Sequence, residues 1–169
     1  MKPRYILLPA VLILLIGLML YRTAISSQSE ARRQIPVRSA AEWSYVLENG
    51  ESGTISLPYK FDNLPPGSAV TLTATVRVSP DDKLLIKSVY TPFRVYADGA
   101  LIYVSGQPEN YPSFFPDPPT LLNMIELPDC TEPVQLRIEY RSSTQRDEMR
   151  VPMMFQGSDA AVYAPLFRQ

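Results

Sequence analysis

Apolar and polar positions alternate through most of the chain beyond residue 50, and that alternation assigns the fold class. In residues 70–78, VTLTATVRV, Val70, Leu72, Ala74, Val76 and Val78 fall on one side of an extended chain, and Thr71, Thr73, Thr75 and Arg77 fall on the other. Successive side chains of a strand point to opposite faces, so the segment reads as a strand with one buried and one wet face. Residues 134–140, VQLRIEY, repeat the pattern with Val134, Leu136, Ile138 and Tyr140 inward. Further β-prone runs lie at 53–58, 83–90, 121–127 and 149–155. Between them, residues 93–104 carry two β-branched and aromatic runs around Asp98-Gly99. These two residue types tolerate the positive φ of a two-residue type I′ turn, so the segment predicts a hairpin. In it Val95, Ala97, Leu101 and Val104 can face a core, with Arg94, Tyr96 and Tyr103 on other faces. Roughly eight short strands joined by turns predict an all-β fold, an antiparallel two-sheet β-sandwich over residues 41–169. A short helix is expected to start near Ser158-Asp159.

The N-terminus follows a different pattern. Residues 5–21, YILLPAVLILLIGLMLY, contain no charge. At ~1.5 Å per residue a helix of that length spans ~26 Å, close to a hydrocarbon core of about 30 Å. Arg22 can snorkel, and Thr23-Ala24-Ile25 can lengthen the buried stretch. Residues 1–25 therefore read as a transmembrane signal anchor that contacts the membrane through residues 5–25, with residues 26–40 as a juxtamembrane connector. Lys2 and Arg4 precede the run, which places the N-terminus in the cytoplasm and the C-terminal domain outside it, as a single-pass protein of the cell membrane. The competing reading is a cleaved signal peptide, with Ala24-Ile25-Ser26 as a weak small-x-small site. Both readings export the remainder.

Composition narrows the chemistry. Seventeen prolines against seven glycines disfavour long helices. Lys2, Arg4, Arg22, Arg32 and Arg33 oppose only Glu30 in residues 1–33, so with a whole-chain charge of −1 the rest of the chain is acidic. An acidic domain without a basic stripe does not suit nucleic acid. The chain has no histidine, which excludes Ser-His-Asp and Cys-His catalysis and His-ligated metals. The single Cys130 can form neither an internal disulfide nor a zinc cluster. No cofactor and no metal are expected.

One connector is out of scale. Residues 105–120, SGQPENYPSFFPDPPT, interleave Pro108, Pro112, Pro116, Pro118 and Pro119 with Tyr111, Phe114 and Phe115. Loops of this length are usually functional or disordered, and prolines lower the entropy lost on ordering. Tyr111, Phe114, Phe115 and Asp117, with the lone Trp43, are the candidate ligand-binding residues. Their aromatic faces can stack on a ligand, or fold down over one end of the sandwich. The carboxylates Asp98, Asp117 and Glu126 are available in or near the hairpin and loop for a glycosidase pair, but no motif pairs them, so the reading is non-catalytic. A glycan-binding or glycoside-hydrolase accessory domain and a structural partner-docking domain are the alternatives.

The anchor, Trp43, GTISLP (53–58), VYADGALIYVSG (95–106), IELP (125–128), VQLRIEY (134–140) and FQGSDAAVYAPL (155–166) together resemble a bacterial receptor front end. It is the extracytoplasmic domain that precedes a multi-helix membrane region in many GGDEF-type diguanylate cyclases and sensor histidine kinases. The resemblance implies a galactose-binding-like jelly roll that senses a small molecule, glycan or peptide ligand. No membrane region or GGDEF output follows Gln169, so the resemblance implies signalling through a larger parent or a membrane signalling partner. Such folds also suggest a structural calcium ion, but Asp62-Asn63 and Asp81-Asp82 read as turn residues and are not assigned as ligands.

Overall fold

The computed structural model describes residues 16–19, 21, 42–158 and 161–163. Two compact units divide the chain, Met1–Ile35 and Pro36–Gln169. In the first, residues 16–19 and 21 are helical and exposed. Most of the expected transmembrane segment 5–25 and all of the connector 26–40 lie outside the described residues. Among the described residues, no helix is long and apolar enough to cross a membrane.

The second unit is an all-β sandwich. Its strands are β1 (Trp43–Leu47), β2 (Ser52–Ile55), β3 (Tyr59–Phe61), β4 (Ala69–Val76), β5 (Lys83–Ser88), β6 (Phe93–Ala97), β7 (Ala100–Ser105), β8 (Leu121–Glu126), β9 (Val134–Arg141), β10 (Met149–Val151) and β11 (Met154–Gly157). Six form one antiparallel sheet in the order β2-β1-β4-β9-β6-β7; β11-β5-β8 and β10-β3 form two smaller sheets. The two most regular alternations in the sequence, in β4 and β9, pair along their whole length from Ala69↔Arg141 to Val76↔Val134. Their inward residues Val70, Leu72, Leu136 and Ile138 are fully buried. They share a core with Ile86, Ile125 and Met154 of the three-stranded sheet and with Phe61, Met149 and Val151 of the two-stranded one.

Four local expectations need correction. Trp43–Leu47 and Tyr59–Phe61 are strands that the periodicity did not mark. Residues 149–155 are not one strand: the chain leaves β10 at Pro152, which has no N–H to continue a ladder, and resumes as β11 in another sheet. Residues 83–90 end as a strand at Ser88, and Tyr90 takes a positive φ of 57°. In the hairpin, Asp98 (φ 48°) and Gly99 (φ 85°) adopt the expected left-handed turn. A register shift between Val95 and Tyr96, however, pairs Val95 with Tyr103 and Tyr96 with Leu101. The irregularity turns Leu101 outward, 53% exposed, and brings Tyr103 against the core.

Leu84-Leu85-Ile86 also breaks the alternation, and the sheet explains why. Leu84 and Ile86 join the main core, whereas Leu85 lies on the opposite face, level with Phe155 and Met124, and is buried there too. This short sheet is apolar on both faces. A helical turn at residues 161–163 follows, with the Ala161 and Val162 N–H groups both donating to the Ser158 carbonyl.

Candidate functional site

Strand direction gathers the long connectors at one end of the sandwich. β7 runs away from the Asp98-Gly99 turn and β8 runs back, so the 106–120 loop lies at the far end from that turn. The segments after β3, β5 and β9 lie at the same end and are joined to one another. The Arg141 N–H donates to the Pro92 carbonyl, the Gly67 N–H to the Ser143 carbonyl and the Leu64 N–H to the Asp147 carbonyl.

The loop is held at both bases. At its start Gly106 has φ +75°, and a Cβ built there would lie 2.9 Å from Pro92 Cα and 3.0 Å from Pro118 Cγ. Only glycine allows that approach of three chain segments. At the other base, Asp117 is 8% exposed and both its carboxylate oxygens are used. Ser143 Oγ donates to Oδ2 at 2.6 Å, while the Thr144 N–H and hydroxyl donate to Oδ1 at 2.9 and 3.0 Å. Three donors satisfy a charge that would otherwise be expensive to bury. Asp117 is thus a strut between the loop and the β9–β10 segment, not a free ligand group.

Beneath the loop, Asn123 of β8 ties the two layers together. Its amide donates to the Ile86 carbonyl (3.1 Å) and Ser88 Oγ (3.2 Å), and its carbonyl accepts from Ser105 Oγ (2.7 Å) and the Tyr103 hydroxyl (3.2 Å). Tyr140 lies beside Phe93, ring centroids 5.3 Å apart, and its buried hydroxyl has no partner among the described residues. Burial raises its pKa above the ordinary tyrosine range, so the hydroxyl stays protonated. On the surface, Glu148 is held below the usual carboxylate range by its hydrogen bond with Lys60, which also pairs with Asp62.

Between the clamped bases the tip stands clear. The segment Pro108–Asn110 makes one 3-10 turn, closed by the Asn110 N–H on the Gln107 carbonyl. A second turn is closed by the Phe115 N–H on the Pro112 carbonyl. Phe114 is 77% exposed and Phe115 46%; their rings touch at 4.5 Å between centroids, tilted by 39°. Tyr111 is half-buried. In the segment after β5 Tyr90 is exposed, with the Arg146 guanidinium 4.6 Å above its ring.

The structure therefore divides the sequence-derived set. Tyr111, Phe114 and Phe115 share the exposed part of one loop. Asp117 belongs to that loop's foundation. Trp43 does not belong to the site: it is 1% exposed, opens β1 at the other end of the sandwich, and packs in the core. Of the other carboxylates, Asp98 sits at the opposite end of β7 from Asp117, and its Oδ1 accepts from the Gln135 N–H at 2.9 Å. Strand length alone separates those two by ~20 Å, too far to flank one glycosidic bond. Glu126 is exposed and faces Lys83 at 3.9 Å. Sequence reading missed Gly106, Ser143, Thr144 and the Tyr90–Arg146 pair. The hydroxyl run Ser142-Ser143-Thr144 between two strands was the one available signal for the clamp.

No protein-family profile and no curated protein matches the sequence. Among solved structures, the chain is similar to a β-glucosidase from Kluyveromyces marxianus in complex with glucose, with a TM-score of 0.39 and 16% identity. That match covers 69% of this chain and 16% of that one. It is also similar to a GH31 α-xylosidase from Xanthomonas citri, with a TM-score of 0.37 and 11% identity, over 73% of this chain and 15% of that one. The chain thus spans about a sixth of the length of either enzyme.

Proposed function

We propose that this protein is a non-catalytic recognition module, a galactose-binding-like jelly roll carried outside the cell membrane by its N-terminal segment. In this reading it is the input part of a transmembrane signalling system. The recognition element is the exposed part of the 106–120 loop. One observation carries the reading: two phenylalanines are kept in water on a loop whose two bases are fixed by Gly106 packing and by the Asp117 hydrogen bonds. Exposed apolar rings on a mobile loop could collapse onto the protein. Rings held out by a fixed scaffold are ready for a partner at little ordering entropy. The uncharged run 5–21, with Lys2 and Arg4 before it, supports the anchored topology.

The test is calorimetric titration of the full chain in phosphatidylcholine nanodiscs with panels of glycans, peptides and small metabolites, repeated with Phe114→Ala. Recognition through the tip predicts a ligand whose affinity falls ~10-fold or more in the variant, the scale of one buried apolar contact. A ligand bound equally by both proteins removes the tip from the site.

A further inference from the structure

We propose that the β7–β8 side of the sandwich is an interface at which a second copy of this chain adds its own β8 edge to edge, across a two-fold axis perpendicular to the sheets. Dimerisation there requires no ligand at the loop tip.

A sheet that does not close ends in strands whose outer N–H and C=O groups have no partner, and such edges are usually blunted by shortness, charge or proline. β2 and β11 follow that rule: each has four residues, β2 begins after Glu51, and β11 lies two residues beyond Pro152. β7 and β8, which end the same two sheets on the other side, do not. Each has six residues, ALIYVS and LLNMIE, without proline and with Glu126 as the one charge. Between Arg94 and Arg137 the sequence holds no Lys or Arg, and Leu101, Leu121 and Leu122 are exposed. The two strands lie one above the other, since the Tyr103 and Ser105 hydroxyls of β7 donate to Asn123 of β8. Among the described residues β8 pairs with β5 alone. The Leu127 N–H donates to the Asp82 carbonyl, so by antiparallel alternation Leu121, Asn123 and Ile125 bond to β5. The main-chain groups of Leu122 and Met124 point outward instead.

An open edge accepts a strand, and two stacked edges select a partner that presents two. A single peptide fills one of them. A second copy turned about the two-fold brings β8 to β8 and β7 alongside β7 in one contact. With the axis through Asn123, Leu122 of each copy exchanges main-chain bonds with Met124 of the other, and Leu121 stands opposite Ile125. No charge meets its like in that register, and β8 keeps its apolar positions on matching faces. The register shift between Val95 and Tyr96 interrupts the ladder of β7, so its share is side-chain contact through Leu101 and Val104.

The test uses the full chain in detergent micelles. Sedimentation equilibrium at micromolar concentrations should give a dimer, and Leu122→Lys should weaken it ~10-fold or more, because like charges are brought together beside the axis. Thr54→Lys, on the edge strand β2, should leave it unchanged. With Cys130→Ser removing the native thiol, Leu122→Cys should be joined to its counterpart by a short bismaleimide, and Thr54→Cys should not. Leu122 is about half exposed, so both variants should keep the circular dichroism of the parent; if Leu122→Lys misfolds, the cysteine pair decides. A protein monomeric throughout overturns the proposal. So does a dimer that folded Leu122→Lys leaves intact, the result expected if the N-terminal segment alone joins the copies. Equal cross-linking of the two cysteines overturns it as well.

Discussion

β7 begins at a two-residue turn and ends at the 106–120 loop, and the two connections obtain their shape in opposite ways. At Asp98-Gly99, the positive φ of both residues closes the chain locally. The Asp98 carboxylate adds a single bond to the exposed Gln135. At the other end, shape comes from distant segments: Pro92 against Gly106, and Ser143 and Thr144 around Asp117. In the sequence Asp98 reads as a turn residue and Asp117 as a ligand-binding candidate; the first is exposed in its turn, whereas the second is buried and structural. A short turn can be specified by its own residues, whereas a long loop becomes rigid only through contacts with other parts of the chain.

The largest effect should therefore come from Asp117→Ala. It leaves the Ser143 and Thr144 donors without an acceptor and should lower stability by about 3 kcal/mol in denaturant titration. Asp98→Ala, which frees one exposed N–H, should lose about 1 kcal/mol. Equal midpoints for the two would abolish the contrast. Next come the glycines. Gly106→Ala and Gly99→Ala both incur the positive-φ penalty of about 1 kcal/mol. Only the first also forces a methyl against Pro92 and Pro118, so its loss should be about twice as large. A loss no greater than that of Gly99→Ala would show that the loop base yields freely.

Two smaller effects sharpen the picture within the loop end. Tyr140→Phe deletes a buried hydroxyl without a partner and keeps the ring against Phe93, so stability should rise by about 1 kcal/mol. A loss would reveal a bound water serving that hydroxyl. Phe114→Ala should leave the melting temperature nearly unchanged, a difference within ~0.5 kcal/mol, because the ring is mostly in water. A loss of ~3 kcal/mol would instead mean that the ring packs as core.

How much of this was legible beforehand follows the same division. Alternation located β4 and β9, and the Asp-Gly pair located the hairpin turn, because both signals are local and periodic. The Phe114–Phe115 tip was legible as an oversized aromatic connector. Leu101 was misplaced because an irregularity between Val95 and Tyr96 shifts the register, and no residue type marks that position. The structural role of Asp117 is not legible in the sequence because its partners lie 26 and 27 positions away. The sequence leaves Trp43 open between core and ligand because a lone aromatic carries no periodicity, and β1 is too short to supply one.

The Gly106 and Asp117 anchors also set what can change over evolutionary time. Residues between them are joined to the scaffold at two fixed points, so substitutions there leave the β4–β9 pairing and the core untouched. Lengthening the loop is inexpensive as well: each doubling adds only about 0.6 kcal/mol of closure entropy. A lineage can exchange the tip for another and inherit the same mount, with new specificity arising at almost no loss of foldability.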